Sequence, residues 1–118
     1  SIKNISNIVS EDILRERNKG EFKSFNDFMI RCYGKNINKR IVVSLILCGA
    51  FDSFGINKKA TIEILDEIIN YATLCKDLGV VMDNAPIVND IDDYDSIETI
   101  DNEINNYGFF LFYQTRKV

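Results

Sequence analysis

The chain has 118 residues, enough for one domain with a modest core and too few for two comfortable ones. Its hydrophobic share of 46% and charged share of 27% are ordinary for a globular protein, and the absence of histidine removes the commonest general base and the commonest zinc ligand. The net charge of −4 conceals a split, because residues 1–60 carry a net +5 and residues 61–118 a net −9. A basic half on an acidic chain fits a polyanion-facing surface and fits solvated helix faces equally well.

The first apolar positions, Ile5, Ile8, Val9, Ile13 and Leu14, recur at helical intervals, with Ser10 or Asn7 as the cap beside Glu11 and Asp12. Ahead of them, "SIKNISN" (1–7) reads as a turn with Lys3 before it and a helix after it. That helix is expected to end near Asn18 to Gly20, since glycine accepts the left-handed conformation past a helix end. Ser24 then caps a short helix whose inner stripe is Phe25, Phe28, Met29 and Cys32, closed by Gly34. Asn36 or Asn38 caps the next, in which Ile41, Val42, Val43, Leu45, Ile46 and Leu47 point in all directions. A helix apolar all round is buried all round, which makes this the central helix, and Gly49 stops it. After "GAFDSFG", Asn57 caps the longest helix, running to Gly79 with an inner stripe of Leu65, Ile68, Ala72 and Cys75.

From Val80 to Asp95 the periodicity fails around the one proline, Pro86, and a linker or surface loop is expected. Helical spacing returns with Ile97, Ile100, Ile104 and Leu111, and the chain closes on the apolar "YGFFLFYQTRKV". Such an end, with an opening on Ser1 rather than methionine, suggests a piece of a longer protein. The apolar runs are far short of the ~20 residues a membrane span needs, and no signal peptide is visible. The three cysteines, Cys32, Cys48 and Cys75, are odd in number and too far apart for a CxxC motif. They read as buried thiols in a reducing compartment, hence the cytoplasm.

Autonomous catalysis is not expected. No phosphate-binding loop, nucleophile elbow or dinucleotide fingerprint is present, and the serines have no histidine to activate them. "DIDDYD" lacks the glycine and the closing glutamate of a calcium loop and reads as solvated. No metal or other cofactor is expected. Nucleic-acid binding has two candidate seats, because a tight turn before a helix aims unpaired backbone N–H groups at a phosphate. One is residues 1–7. The other is "CGAFDSFGINKK" (48–59), where Lys58 and Lys59 stand in the first helical turn against the helix dipole. An anionic partner explains them, as does simple solubility. Lys39 and Arg40 raise the same question at the start of the central helix.

"GEFKSFNDFMIRC", then "NKRIVVSLILCGAFDSFG" followed by "NKKA", then "YGFFL", in this order, resemble the bacterial replicative DNA polymerase III alpha subunit, the C-family polymerase. The resemblance covers residues 1 to about 78 and again 107–111, in the tandem helix-hairpin-helix region. It implies an all-α fold of about five helices: residues 1–78 as the tandem helix-hairpin-helix domain, 79–96 as an irregular acidic connector, and 97–118 as a helix leading into the next domain. It also implies sequence-independent contact with the primer-template backbone and no catalytic carboxylates in this stretch. In that family the first hairpin reads Ile-Lys-Gly-hydrophobic-Gly. Ile2, Lys3 and Ile5 match it, whereas Asn4 and Ser6 replace the glycines and offer side-chain donors instead. The DNA-contacting set is thus Lys3, Asn4, Ile5, Ser6 and Asn7, with Lys39, Arg40, Lys58 and Lys59 second. The partners implied are duplex DNA, the remainder of the alpha subunit and a sliding clamp, with no membrane. Two departures stand out: "LGVVMD" (78–83) has no glutamine where the family's clamp-binding peptide starts, and Phe112 to Thr115 replace the usual Ser-x-His-Pro. The rival reading is an interaction module joining a polymerase core to clamp or accessory subunits through the acidic half and "YGFFLFY".

Overall fold

The computed structural model describes residues 2–89 and 92. Helix α1 spans Ile2–Arg17, α2 Phe25–Cys32, α3 Lys39–Leu47, α4 Lys58–Glu63 and α5 Leu65–Leu78, with a single 3-10 turn at Asp52–Phe54. The fold is all-α. The helix expected over 97–118 and the acidic run "DIDDYD" fall outside the described residues, apart from Asp92.

Three caps follow the sequence. The Ser24 hydroxyl accepts from the Asp27 N–H at 3.0 Å, and the Asp27 carboxylate accepts in return from the Lys23 N–H at 3.0 Å. The pair resembles a capping box, with the return bond taken one residue earlier, from Lys23 instead of the cap itself. Asn38 accepts from the Ile41 N–H at 3.0 Å, which selects it over Asn36, and Asn57 accepts from the Ala60 N–H at 2.9 Å. Asn36 instead donates to Asp12 at 3.0 Å, tying the turn before α3 to α1 and holding the Asp12 carboxyl below its usual range.

Two expectations fail. Helix α1 begins at Ile2, so neither Asn7 nor Ser10 caps it and no turn precedes it within residues 2–7. Nothing in that stretch is glycine or proline, and with Asn4 and Ser6 in place of glycines no residue there favours leaving the helical region. The long helix after Asn57 is two helices. Ile64 (φ −106°, ψ 17°) leaves helical geometry and separates α4 from α5. The β-branched residues Thr61, Ile62 and Ile64 crowd the preceding turn and make an unbroken helix less favourable there.

Val9 and Ile13 of α1, Phe25, Phe28 and Met29 of α2, Ile41, Val42, Leu45 and Ile46 of α3, and Leu65, Ile68 and Ala72 of α5 form one buried cluster. Helix α3 is the central post as expected, although Val43 and Leu47 are only half-buried. The largest contribution from outside a helix is Phe51, in the turn after α3 and fully buried. Its ring meets Phe25 edge-on at 4.9 Å and Phe28 at 4.8 Å, and stacks on Phe54 at 6.2 Å. Edge-to-face pairs at this spacing add about 0.5–1.5 kcal/mol each beyond burial.

The connection from α1 to α2 is organised by Arg31. Its guanidinium donates to the carbonyls of Glu16, Gly20 (2.9 Å) and Glu21 (3.2 Å), bonds the Asp27 carboxylate at 3.2 Å, and lies 4.4 Å over the Phe22 ring. The carbonyls left open at the end of α1 and in the turn beyond it thereby find donors. At the far end, Gly79 is left-handed (φ 71°) and the Val80 N–H reaches back to the Cys75 carbonyl at 3.2 Å. The Tyr71 hydroxyl donates to the Met82 carbonyl at 2.6 Å, and the Met82 N–H to Cys75 Sγ at 3.4 Å. No helix or strand forms over residues 80–89.

Phe51→Ala should lower unfolding free energy by about 3–5 kcal/mol, because the ring leaves a cavity against Phe25 and Phe28 that their helices cannot close. Urea titration followed by circular dichroism reads this, and a loss below about 1 kcal/mol would show that the ring is not structural. The thiols give a second expectation. Burial pushes Cys32 up to about 12 and Cys48 up to about 11, from an ordinary 9.0. Above the ordinary value the unfolded thiols ionise while the folded ones do not. The unfolded state then binds fewer protons, and stability falls as pH rises from 9.0 towards about 11. Both thiols should also react with a disulfide reagent far more slowly in the folded chain than in urea.

Candidate nucleic-acid interface

Helix α3, the turn 48–57 and α4 form a helical hairpin. The turn is built by glycines at two places. Gly49 (φ +91°) lets the chain leave α3, with the Ala50 N–H still bonded to the Leu45 carbonyl at 3.0 Å, and Gly55 (φ +67°) closes the 3-10 turn. Any Cβ at Gly49 would stand 2.8 Å from the Asp52 Oδ2. The missing side chain therefore does two things: it permits the positive φ and it makes room for the Asp52 carboxylate. Cys48, at the mouth of the turn, donates to the Leu45 carbonyl at 3.3 Å, and its raised pKa keeps it a neutral thiol at physiological pH.

The basic residues singled out from the sequence fall into three places. Lys58 and Lys59 open α4 at the turn, Lys39 and Arg40 open α3 at the other end of the hairpin, and Lys3 to Asn7 lie in the first turns of α1. Helix α3 is nine residues long, so its two ends are separated by about 13 Å at ~1.5 Å per residue. The hairpin therefore does not gather Lys39 and Arg40 with Lys58 and Lys59. Asn7 is exposed. Because α1 is helical from Ile2, only the first few N–H groups there, up to Asn4, are left open by the helix start, and no hairpin turn stands in residues 2–7.

The structure also revises the electrostatic argument. Lysines in a first helical turn oppose the dipole, and a partner outside the chain was one way to account for them. Here Asp66, in the first turn of α5, pairs with Lys39 at 2.9 Å, and Asp52 lies 3.6 Å from the Lys58 ammonium. Other members of the basic half are also matched within the chain: Arg15 with Asp12, Lys19 with Glu16, and Arg31 with Glu16 and Asp27. The Lys19 contact, first of all, holds the Glu16 carboxyl below its usual range. Arg40 is exposed at the start of α3, and its side chain extends from a turn whose backbone is already capped by Asn38. Sequence reasoning missed the roles of Asp52, Asp66 and Arg31. Asp52 had a local signal, an acid six positions before Lys58 inside a glycine-bounded turn. The Lys39–Asp66 pair depends on the break at Ile64 and had none.

Comparison with known proteins gives a family match to the helix-hairpin-helix motif over residues 1–61. The chain is similar to the DNA polymerase III subunit alpha of Campylobacter jejuni, 36% identical over 85 residues, covering 72% of this chain and 7% of that protein. It is similar to the same subunit of Borreliella burgdorferi, 45% identical over 69 residues, covering 58% and 6%. The subunit of Thermus aquaticus is 32% identical over 80 residues, covering 67% and 6%. The chain therefore corresponds to less than a tenth of the length of these relatives. No solved structure matches it.

Proposed function

The chain belongs to the helix-hairpin-helix family, and from that membership we propose that it is a non-catalytic, duplex-DNA-contacting segment of a replicative DNA polymerase alpha subunit. The observation that carries the reading is that the motif match over residues 1–61 coincides with the half of the chain that bears a net +5. In this reading the segment holds no cofactor. Nucleotidyl transfer belongs to the rest of the polymerase, which is its first partner, and DNA replication in the cytoplasm is its setting. Lys3, Asn4, Ile5, Ser6 and Asn7 supply one group of backbone contacts, and Lys39, Arg40, Lys58 and Lys59 a second. The two groups touch sugar and phosphate, so they position the duplex without reading its sequence. Partial neutralisation by Asp52 and Asp66 makes these contacts modest in strength, and the remaining phosphate contacts weaken as salt rises.

A second reading draws on a different surface. Leu78 at the end of α5, and Val80 and Val81 on the segment that Tyr71 and Cys75 hold against it, are exposed, Val81 to 73%. A small apolar patch with Asp77 and Asp83 beside it suits a protein partner such as a clamp or accessory subunit.

Fluorescence anisotropy of a labelled random-sequence duplex, titrated with the chain at several salt concentrations, separates the two. Under the DNA reading, binding weakens as salt rises, is indifferent to sequence, and weakens severalfold in a Lys3→Ala, Arg40→Ala, Lys59→Ala variant. No binding at the lowest salt, or a marked sequence preference, overturns that reading. Capture of a clamp or accessory subunit that survives high salt and is lost in Leu78→Ser, Val81→Ser supports the second.

A further inference from the structure

Residues 80–89 lie on the domain without entering it. None of them is buried: Met82, Ala85 and Pro86 are half-buried and the rest are exposed. Among the described residues, three hydrogen bonds join this segment to α5, and all fall within its first three positions. The Val80 N–H donates to the Cys75 carbonyl at 3.2 Å, the Tyr71 hydroxyl to the Met82 carbonyl at 2.6 Å, and the Met82 N–H to Cys75 Sγ at 3.4 Å. The residues beneath are of another kind. Cys75 is 1% exposed and Tyr71 is buried, yet neither belongs to the buried cluster that unites α1, α2, α3 and α5. Both turn their polar atoms to the Met82 backbone. A segment held by a few hydrogen bonds, with no buried apolar side chain of its own, opens at a far smaller cost than the domain unfolds.

We infer that residues 80–83 are a latch that opens while the helices stay folded, and that its opening turns 80–89 from a strap on α5 into a free segment and uncovers Cys75. Met82 is the catch, its N–H and its carbonyl held by side chains one helical turn apart. Gly79 aims the strap, since its left-handed φ of 71° brings the Val80 N–H back to the Cys75 carbonyl. The closed form is the resting one, and in it the Met82 backbone groups are occupied. Open, the same stretch is extended chain, the form in which peptide segments are taken up by the grooves and sheet edges of other proteins. The inference stands on the fold and on neither reading of function above.

The test is alkylation of Cys75 by iodoacetamide in the 118-residue chain, followed by peptide mass spectrometry at urea concentrations below the unfolding transition. Opening of the latch exposes little surface, so the Cys75 rate should be nearly flat in urea, whereas a rate set by whole-domain unfolding climbs steeply. Tyr71→Phe removes one bond of the catch and should speed alkylation by about threefold to tenfold. The comparison is Ile13→Val, Ile46→Val, two fully buried positions on α1 and α3. This pair shifts the folding equilibrium by about tenfold or more and should leave the Cys75 rate within about twofold. Thermal melts confirm that each variant is folded. If Tyr71→Phe is not, Gly79→Ala takes its place: a Cβ there meets nothing within 4 Å, so its effect comes from the disfavoured φ alone and should also speed alkylation.

A flat urea dependence, an unchanged rate in the core pair and a faster one in the latch variant together support the inference. A Cys75 rate that climbs with urea as the unfolding constant does, or that rises in the core pair by as much as stability falls, overturns it. An unchanged rate in the folded latch variant overturns it as well. Neither result touches duplex binding, so the DNA reading stands or falls by its own titration.

Discussion

The hairpin turn brings its own core residue with it, and the rest of the arrangement depends on that. Phe51 sits among Phe25, Phe28 and Phe54, so the turn between α3 and α4 is not a surface loop joining two finished helices. It is nailed into α2. Gly49 and Gly55 then acquire a purpose beyond flexibility: they let the chain dip into the core at residue 51 and come out again within a few residues. The direction in which α4 leaves, and with it the position of Lys58 and Lys59, is inherited from an aromatic contact with a helix earlier in the chain.

Helix α2 is in turn fixed from the other side. Arg31 gathers carbonyl groups from the end of α1 and the following turn while its flat face covers Phe22. Arginine suits this place better than lysine, since one planar fork serves several acceptors and stacks on a ring at the same time. The basic residue that matters most to the fold is therefore one that presents little charge to solvent. A count of Lys and Arg in the first half of the chain overstates the positive surface for that reason. Arg15, Lys19, Lys39 and Lys58 are likewise drawn towards neighbouring carboxylates.

Much of this was legible in the sequence where the governing interaction is local. Ser24, Asn38 and Asn57 cap because each precedes an apolar run and meets an N–H three residues on, and the stripes of α2, α3 and α5 follow from helical spacing alone. Where the interaction is between segments distant in sequence, the reading stopped short. Asp66 lies within an unbroken helical pattern in the sequence, whereas the structure, with its break at Ile64, has it in the first turn of α5, paired with Lys39. At the beginning of the chain the family pattern implied a turn, but Asn4 and Ser6 lack the conformational freedom of the glycines they replace, and the backbone remains helical. The resemblance identified the family, and the two missing glycines marked where this chain departs from it.

The clasp at the end of α5 has a further consequence for whatever follows. Chain leaving a helix end ordinarily parts from it at the cap, here Gly79. Because Tyr71 and Cys75 hold both polar groups of the Met82 peptide backbone, the chain here stays on the side of the helix for three residues more. At up to ~3.3–3.6 Å per residue, about 10 Å of reach is removed from the downstream chain. Burial pushes the Tyr71 phenol up, so it keeps its proton, and the clasp with it, well beyond neutral pH. The expected connector thus starts from a set place on the side of α5, three residues beyond the helix cap.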